Sequence, residues 1–501
     1  MAHDVVVIGS GGGALMGAYL AQKAGLSTVL LERTKLLGGT SAYSGGACWL
    51  PGTAVQQRAG IGDSTESARA YLGALLPQPL SPGIEAFLAE APRLVAELEA
   101  DDAFAFEWLP FPEYFDAPGR VTMGRSIQPV NIRRDELPEE VGALVRLPVE
   151  RDRVGEGGRR TLSGGQALIA RTLNAFLREG GTVLTEHHVT DFVVEEGRVV
   201  GVEVSTGSTG KGDSTGVDGD SPTTIRAERG VLVAAGGFEG NAALREQHGV
   251  PGDADWTMAP SGTNAGELIE AGVALGAAIA HMEHGWLCPG LEQPGGGGSF
   301  TLGFRSGVMV DADGRRYANE CLPYDRFGSE MAAAPNRLPS YLVFDSREGG
   351  RLPAIAMPEG DPQEHLAAGT WLRADTLGEL ADKLGLTELE STVERFNTFA
   401  ESGIDEDFGR GADEYDVFFA GGSGPNKALV PVDTAPYYAA RFVLSDLGTK
   451  GGLVTDPAIR QDCLDTTAAW VVDQGWTVQA TADSPITGGD GNHEFLLWAR
   501  K

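Results

Sequence analysis

Cysteine is scarce, with four in 501 residues. Cys48, Cys288, Cys321 and Cys463 form no Cys-x-x-Cys pair, which excludes the usual zinc and iron–sulfur frameworks, and no metal is expected. So few thiols fit a reduced, cytoplasmic setting. No run of about 18 apolar residues occurs, so no transmembrane helix is expected. The apolar start Val5–Ile8 is too short for a signal segment and follows Asp4. Positive charge is also thin. Lysine accounts for seven of 39 basic residues against 70 acidic ones, and the net charge is −31. A chain so acidic repels phosphate backbones and anionic lipid, so neither is an expected partner. No internal repeat is present.

Glycine is plentiful, at 71 residues, and its placement is informative. Asp4-Val5-Val6-Val7-Ile8 reads as a strand that breaks into Gly9-Ser10-Gly11-Gly12-Gly13-Ala14, followed by a helical run and a second strand ending at Glu32. Gly9 permits the tight strand-to-helix turn. Gly11, lacking Cβ, lets a pyrophosphate lie against the amides of the helix N-terminus. Ala14 takes the third glycine position and packs helix on strand. Glu32, 23 residues after Gly9, is placed to hold ribose hydroxyls. A second cluster, Gly38-Gly39-Thr40-Ser41-Ala42-Tyr43-Ser44-Gly45-Gly46, follows at once and suits a second phosphate and a bulky ring.

That cluster resembles the FAD-binding segment of the succinate dehydrogenase/fumarate reductase flavoprotein superfamily. The histidine some members use for covalent flavin attachment is absent, and Tyr43 stands near its place, so the resemblance implies non-covalent FAD. A later strand, Val231–Ala235, also runs into glycines, Gly236-Gly237. The expected cofactor shell is Gly9, Gly11, Gly13, Ala14, Glu32, Gly39, Thr40, Ser41, Ser44, Gly45, Gly46, Val189, Ala235, Gly236, Gly237, Asn264 and Gly266.

The expected fold is α/β, a Rossmann-like FAD-binding domain with an inserted α+β substrate domain. The first is expected to span 1–280 and 436–501, and the second 281–435. Apolar spacing predicts amphipathic helices across 60–110, and another helix from Gly164-Gly165 to about Leu177. Thr182–Val204 reads as hairpins in an open meander, residues 206–222 as a mobile polar hairpin tip, and Gly307–Asp311 with Gly314–Tyr317 as strand–turn–strand. His281 and His284 suggest no metal site, and Trp286 is expected to line a pocket or pack the domain junction.

In Arg316-Tyr317-Ala318-Asn319-Glu320-Cys321-Leu322-Pro323-Tyr324-Asp325, Tyr324 stands where the superfamily's fumarate reductases place a catalytic Arg. Arginine suits a dicarboxylate, whereas tyrosine suits a neutral, apolar substrate. The chain here resembles the 3-ketosteroid Δ1-dehydrogenases. The likeness recurs at Pro112-Glu113-Tyr114-Phe115, Asp405–Gly411, Pro436–Ala439 and Asp446–Leu453, and extends from residue 4 to about 456. It implies that Tyr324 removes the α-proton of a 3-ketosteroid while flavin takes a hydride from the β-carbon. Turnover then needs an electron acceptor. Tyr114 is assigned as the supporting hydroxyl, with Phe115 the other residue that could align.

After Asp456 the chain departs from the family. Its members continue with a Tyr and a Gly whose O–H and N–H polarise the substrate carbonyl, and neither is found here. The tail is instead weakly similar, over about 35 residues, to the C-terminal hairpin of hemolysin-A-type RNA methyltransferases, and reads as helix, strand, Gly-rich turn and amphipathic strand. Two alternatives to 1,2-desaturation follow. One is an impaired flavin-binding homologue, and the other a flavin-dependent enone or fumarate-type reductase.

Overall fold

The computed structural model describes residues 2–153, 155, 157–206, 222–454, 472, 477–487 and 493–500. Strand β1 (Ala2–Ile8), helix α1 (Gly12–Lys23) and strand β2 (Thr28–Glu32) open the chain, as the spacing predicts. The last three residues of β1 and all of β2 are buried, which suits near-continuous apolar runs in a parallel sheet. Helix α2 (Gly165–Arg178) leads into β3 (Thr182–Thr185), and β4 (His187–Glu195), β5 (Arg198–Thr206) and β6 (Thr223–Val233) follow. The six strands form one sheet in the order β3-β2-β1-β6-β5-β4. Strands β3, β2, β1 and β6 pair in parallel, and β6-β5-β4 antiparallel. The meander expected over Thr182–Val204 is therefore corrected in part. Strand β3 extends the parallel edge beside β2, because α2 returns the chain there, and only β4–β5 is a hairpin.

Alternation within the strands gives the sheet two cores. Val7 and Leu30 point to one face, with Ala14, Leu15, Ala18 and Tyr19 of α1 and Ile169, Leu173 and Phe176 of α2. Val6, Ile8, Val29 and Leu31 point to the other, with Val189, Val202, Val204 and Ile225. The helices expected before residue 110 include one over Pro82–Glu99, which buries Leu88, Ala91, Val95 and Leu98 at helical spacing.

A second sheet lies between. It comprises β7 (Gly285–Glu292), β8 (Gly298–Leu302), β9 (Val308–Val310), β10 (Ser340–Asp345), β11 (Ile355–Met357), β12 (Trp371–Ala374) and β13 (Tyr437–Thr449). The order is β9-β10-β13-β7-β8-β11, with β12 also paired to β13, and the pairings are antiparallel. Met309, Leu342, Phe344 and Phe442 pack on one face, and Val308, Val310, Val343 and Ala439 on the other, against a helix over Leu389–Ser402. Strand β13 is central: it pairs within this sheet, and its last residues reach the first unit. The second limb of the strand–turn–strand expected at Gly314–Tyr317 reduces to a single bridge, Val310 to Arg316. Arg316 is instead drawn into ion pairs with Glu320 and Asp405.

Thr477–Thr487 and His493–Arg500 form an antiparallel pair, in line with the two strands read from the tail. Of the tip expected at 206–222, residues 207–221 lie outside the described residues, as do the tail helix up to residue 471 and the turn at 488–492. Among the described residues, no helix is long and apolar enough to cross a membrane.

Candidate active site

The carboxyl ends of β1 and β6 open onto a cavity of about 360 Å³. Its wall takes Gly9, Gly11, Gly13 and Ala14 from the first turn, Glu32 from the end of β2, and Gly39, Thr40 and Ser41 from the second glycine cluster. Val189, Ala235, Gly236, Gly237, Asn264 and Gly266 complete the expected set on this wall. Ser44, Gly45 and Gly46 are not brought to it. They brace the start of α2, where the Gly165 N–H donates to the Ser44 carbonyl at 3.0 Å.

Gly9 has φ +95°, and a Cβ there would meet the Ala234 carbonyl oxygen at 2.3 Å, so only glycine permits this turn. The α1 N-terminus has no acidic residue in its first turn, leaving its dipole for an anion. Ser41 Oγ accepts the Gly12 N–H at 3.0 Å and fastens the second cluster to that helix end. The hydroxyl of Thr40, on the cavity wall, is buried with no partner among the described residues. These features fit a dinucleotide: a diphosphate at the helix end, donors awaiting acceptors, and an acid beyond. Glu32 is buried and already accepts from Ser10 Oγ and from the Thr34 N–H and O–H, the last two at 2.8 Å.

Several wall residues carry no motif. Glu239, 2% exposed, accepts from the Thr449 N–H and O–H at 3.2 Å and from the Asn264 side chain. It ties the exit of β6 to the end of β13. Burial raises its pKa, and the Asn264 and Thr449 hydrogen bonds oppose the rise. Glu267 accepts from Arg33 at 2.9 Å and meets His188 at 3.2 Å. Its pKa is lowered by the His188 hydrogen bond and the Arg33 charge, against burial. Arg146, buried, donates to Thr34 and to Asp152, and Tyr43 donates to the same Asp152 carboxylate.

Tyr324 begins helix α3 (Tyr324–Ala332), directly after Pro323. Gly328 lets that helix lie on β7, for a Cβ there would meet the Leu287 carbonyl carbon at 2.6 Å. This close approach sets Tyr324 among aromatic rings. Trp286 stacks on it at 6.4 Å between centroids, Phe300 meets it edge-on at 4.8 Å, and Tyr114 meets it edge-on at 6.1 Å. Tyr114, not Phe115, is thus the residue at Tyr324. Phe115 is 38% exposed and lies under the Arg326 guanidinium. Tyr415, on helix α4 (Glu414–Phe418), lies edge-on to Tyr114 at 5.4 Å and was invisible to motif reasoning.

The two hydroxyls have unequal environments. Burial pushes the Tyr324 phenol up to about 12, while hydrogen bonding from Tyr114 and Trp286 pulls it down. Burial raises Tyr114 well beyond the phenol range, and the nearby Tyr324 and Tyr415 add to the rise. In such a pair the lower group accepts a proton and the higher one donates a hydrogen bond. Directly upstream, Glu320 is fully buried between Arg316 and Arg410, at 2.8 and 3.1 Å. Arg316 also grips Asp405 at 3.0 Å. The Arg316–Asp325 and Asp405–Gly411 runs therefore meet in an ion network that fixes the turn into α3.

A family model for the FAD binding domain matches residues 4–468. A 3-oxosteroid 1-dehydrogenase of Rhodococcus opacus is 38% identical, the match covering 90% of this chain and 88% of that one. A 4-oxocyclohexanecarboxylate 2-dehydrogenase of Sinomonas cyclohexanicum is 32% identical over 91% of this chain and 84% of its own. Among solved structures, the 3-ketosteroid Δ1-dehydrogenase from Sterolibacterium denitrificans, in complex with 1,4-androstadiene-3,17-dione, superposes with a TM-score of 0.79. It is 28% identical, and the match covers 91% of this chain and 90% of that one. On the cavity, the fold and these likenesses together, the chain belongs to the 3-oxosteroid 1-dehydrogenase family of FAD-binding oxidoreductases.

Proposed function

We propose that the protein introduces the 1,2 double bond of a 3-ketosteroid. The observation that carries this reading is the Tyr324–Tyr114 pair, set among Trp286, Phe300 and Tyr415. A ketone acidifies its α-hydrogen, and Tyr324, as phenolate, accepts that proton. Tyr114 keeps its own proton and donates a hydrogen bond to the Tyr324 oxygen. The aromatic rings suit a flat apolar ring system, and Trp286, 44% exposed, gives them an open side. The wall from Gly9 to Thr449 would hold FAD without a covalent bond, and FAD bound there would supply the acceptor for the β-hydride. The engagement of Tyr43 with Asp152 supports the non-covalent reading. The same wall residues are proposed as its ligands, Ser44–Gly46 acting from behind. An electron acceptor completes the cycle.

A second reading is a smaller cyclic ketone substrate, favoured by the 32% identity to the 4-oxocyclohexanecarboxylate enzyme. Tyr324 in the place of an Arg argues against a fumarate-type dicarboxylate.

The test is the visible spectrum of the purified protein, mixed anaerobically with a 3-ketosteroid or a 4-oxocyclohexane acid. Bleaching by the steroid supports the proposal, and bleaching by the small acid alone selects the second reading. A flavin that neither bleaches marks an impaired homologue. Tyr324→Phe is expected to lower kcat by at least ~10²-fold, the usual scale for a proton-transferring side chain. A variant with full activity rules the base out. With the phenol near 12, the wild-type rate is expected to climb about tenfold per pH unit from neutral upward.

A further inference from the structure

The loop that carries Tyr114 is held from two sides by one guanidinium. Arg120 Nη2 donates to the Glu113 carbonyl, the residue before Tyr114, at 3.0 Å. The same side chain grips Asp413 through both Nη atoms, at 3.2 and 2.9 Å. Asp413 caps α4, accepting the Tyr415 N–H at 2.7 Å. Tyr415 in turn backs Tyr114 edge-on at 5.4 Å. The Arg120 side chain is 10% exposed, and its reach joins two segments 293 residues apart in sequence. Arg125 holds the Glu113 carboxylate from the other side, at 2.5 Å, so backbone and side chain of Glu113 have separate anchors.

We propose that Arg120 is a positioning residue for the desaturation, holding Tyr114 in register to donate to Tyr324. The inference rests on the function proposed above. A planar guanidinium can bind a carboxylate through two nitrogens and still donate to a carbonyl in one fixed geometry, whereas an ammonium offers a single nitrogen with no fork. The effect of Arg120 reaches Tyr114 by two routes, the Glu113 carbonyl and the Asp413-capped Tyr415 that backs the ring. The other polar or titratable neighbours of Tyr324 are Tyr415, Asp325, Cys288 and Trp286, with Lys450 over the Trp286 ring, and none of these is bonded to Arg120.

The experiment uses the FAD-loaded full chain and the variants Arg120→Gln, Arg120→Lys and Asp413→Asn. Asparagine still caps a helix, so Asp413→Asn removes the ion pair with little risk to folding. Two measurements are made against pH. One is kcat and KM for a 3-ketosteroid. The other is deuterium wash-in at the substrate α-carbon by the pre-reduced holoenzyme, which follows the base alone.

In Arg120→Gln the rising limb of both profiles is expected about one pH unit higher, a tenfold loss at fixed pH, with KM within twofold. Asp413→Asn is expected to move the limb in the same direction, and Arg120→Lys to restore it only in part. In a Tyr114→Phe background, Arg120→Gln is expected to add nothing. A limb that stays in place while only the unfolding temperature falls overturns the proposal. So does a shift that persists undiminished without the Tyr114 hydroxyl. If the wild type neither bleaches nor exchanges deuterium, the proposed function falls and takes this inference with it. If it does both and the variants' limbs do not move, only this inference falls.

Discussion

Glu320→Gln tests whether the run before Tyr324 is a structural frame rather than catalytic machinery. The Glu320 carboxylate accepts from the Met309 N–H at 3.1 Å, from Arg316 Nε and Nη2 at 2.9 and 2.8 Å, and from Arg410 Nη1 at 3.1 Å. The amide is isosteric, so no cavity forms. Arg316 keeps Asp405 as its counter-ion. Among the described residues, the Arg410 guanidinium keeps only the Gly307 carbonyl at 2.8 Å and the face of Phe396, and its Nε and Nη2 are already buried without partners. The loss therefore falls on a fully buried cation left without a carboxylate, which costs about 3–5 kcal/mol. At roughly 2–4 °C per kcal/mol for a unit of 150–250 residues, unfolding should occur about 6–20 °C earlier. Differential scanning fluorimetry at neutral and acid pH reads this directly. Burial works to raise the Glu320 pKa, but Arg316 and Arg410 hold it below the usual carboxylate range. A folded-state pKa below the unfolded one gives stability that is present above the unfolded pKa and is lost as pH falls through the folded one. The gap between wild type and variant should thus close in acid. A loss under about 1 kcal/mol, or a gap of constant size, would refute the frame.

What was legible in the sequence was local. The strand, Gly9, Gly11 and Glu32 fall in one short stretch, so their spacing alone describes one side of the cavity. Helical spacing likewise gave amphipathic helices before residue 110, and the structure shows Leu88, Ala91, Val95 and Leu98 as the buried side of one of them. The rest depends on chain returns that spacing does not encode. Glu239 meets Thr449 across 210 residues, and nothing near Glu239 announces that contact beyond the Gly236-Gly237 exit that precedes it. Tyr114 and Phe115 are adjacent aromatics, and which one turns inward is set by contacts outside the pair: Arg120 and Arg125 on Glu113, the Tyr71 hydroxyl on the Phe115 N–H, and Tyr415 against the Tyr114 ring. The domain limit at 435/436 followed from chain order. Strand β13, which that limit assigns wholly to the first unit, pairs inside the second sheet and delivers Leu447–Thr449 to the cavity wall. The second glycine cluster reads as a single wrapping loop, yet it splits: Gly39–Ser41 face the cavity, while Ser44–Gly46 face α2.

That split is open to test, as is the role of Tyr43. Tyr43→Phe removes the donor to Asp152, which keeps Arg146 at 2.8 Å. It is expected to cost about 1 kcal/mol and to leave flavin content unchanged, with all flavin released by acid precipitation; flavin pelleting with the wild-type protein would contradict the non-covalent site. Gly45→Ala and Gly46→Ala should differ sharply, although the residues are neighbours and neither lines the cavity. A Cβ on Gly45 meets nothing within 4 Å. Gly46 has φ +74°, and a Cβ there would lie 2.4 Å from the Gly164 carbonyl carbon and 2.8 Å from the Gly165 nitrogen. The left-handed conformation alone costs an L-residue about 1–2 kcal/mol, and the overlap is with backbone that no rotamer relieves. The start of α2 must move. Gly165 cannot yield toward the loop, since its own Cβ position is 1.8 Å from the Ser41 carbonyl oxygen. The displacement therefore reaches Ser41, which holds the Gly12 N–H at the anion-facing end of α1. FAD affinity, measured by titrating apoprotein and following flavin fluorescence, should fall more than tenfold in Gly46→Ala and stay within twofold in Gly45→Ala. Equal losses would mean that the whole cluster touches the cofactor and that the bracing role assigned to Ser44–Gly46 is mistaken.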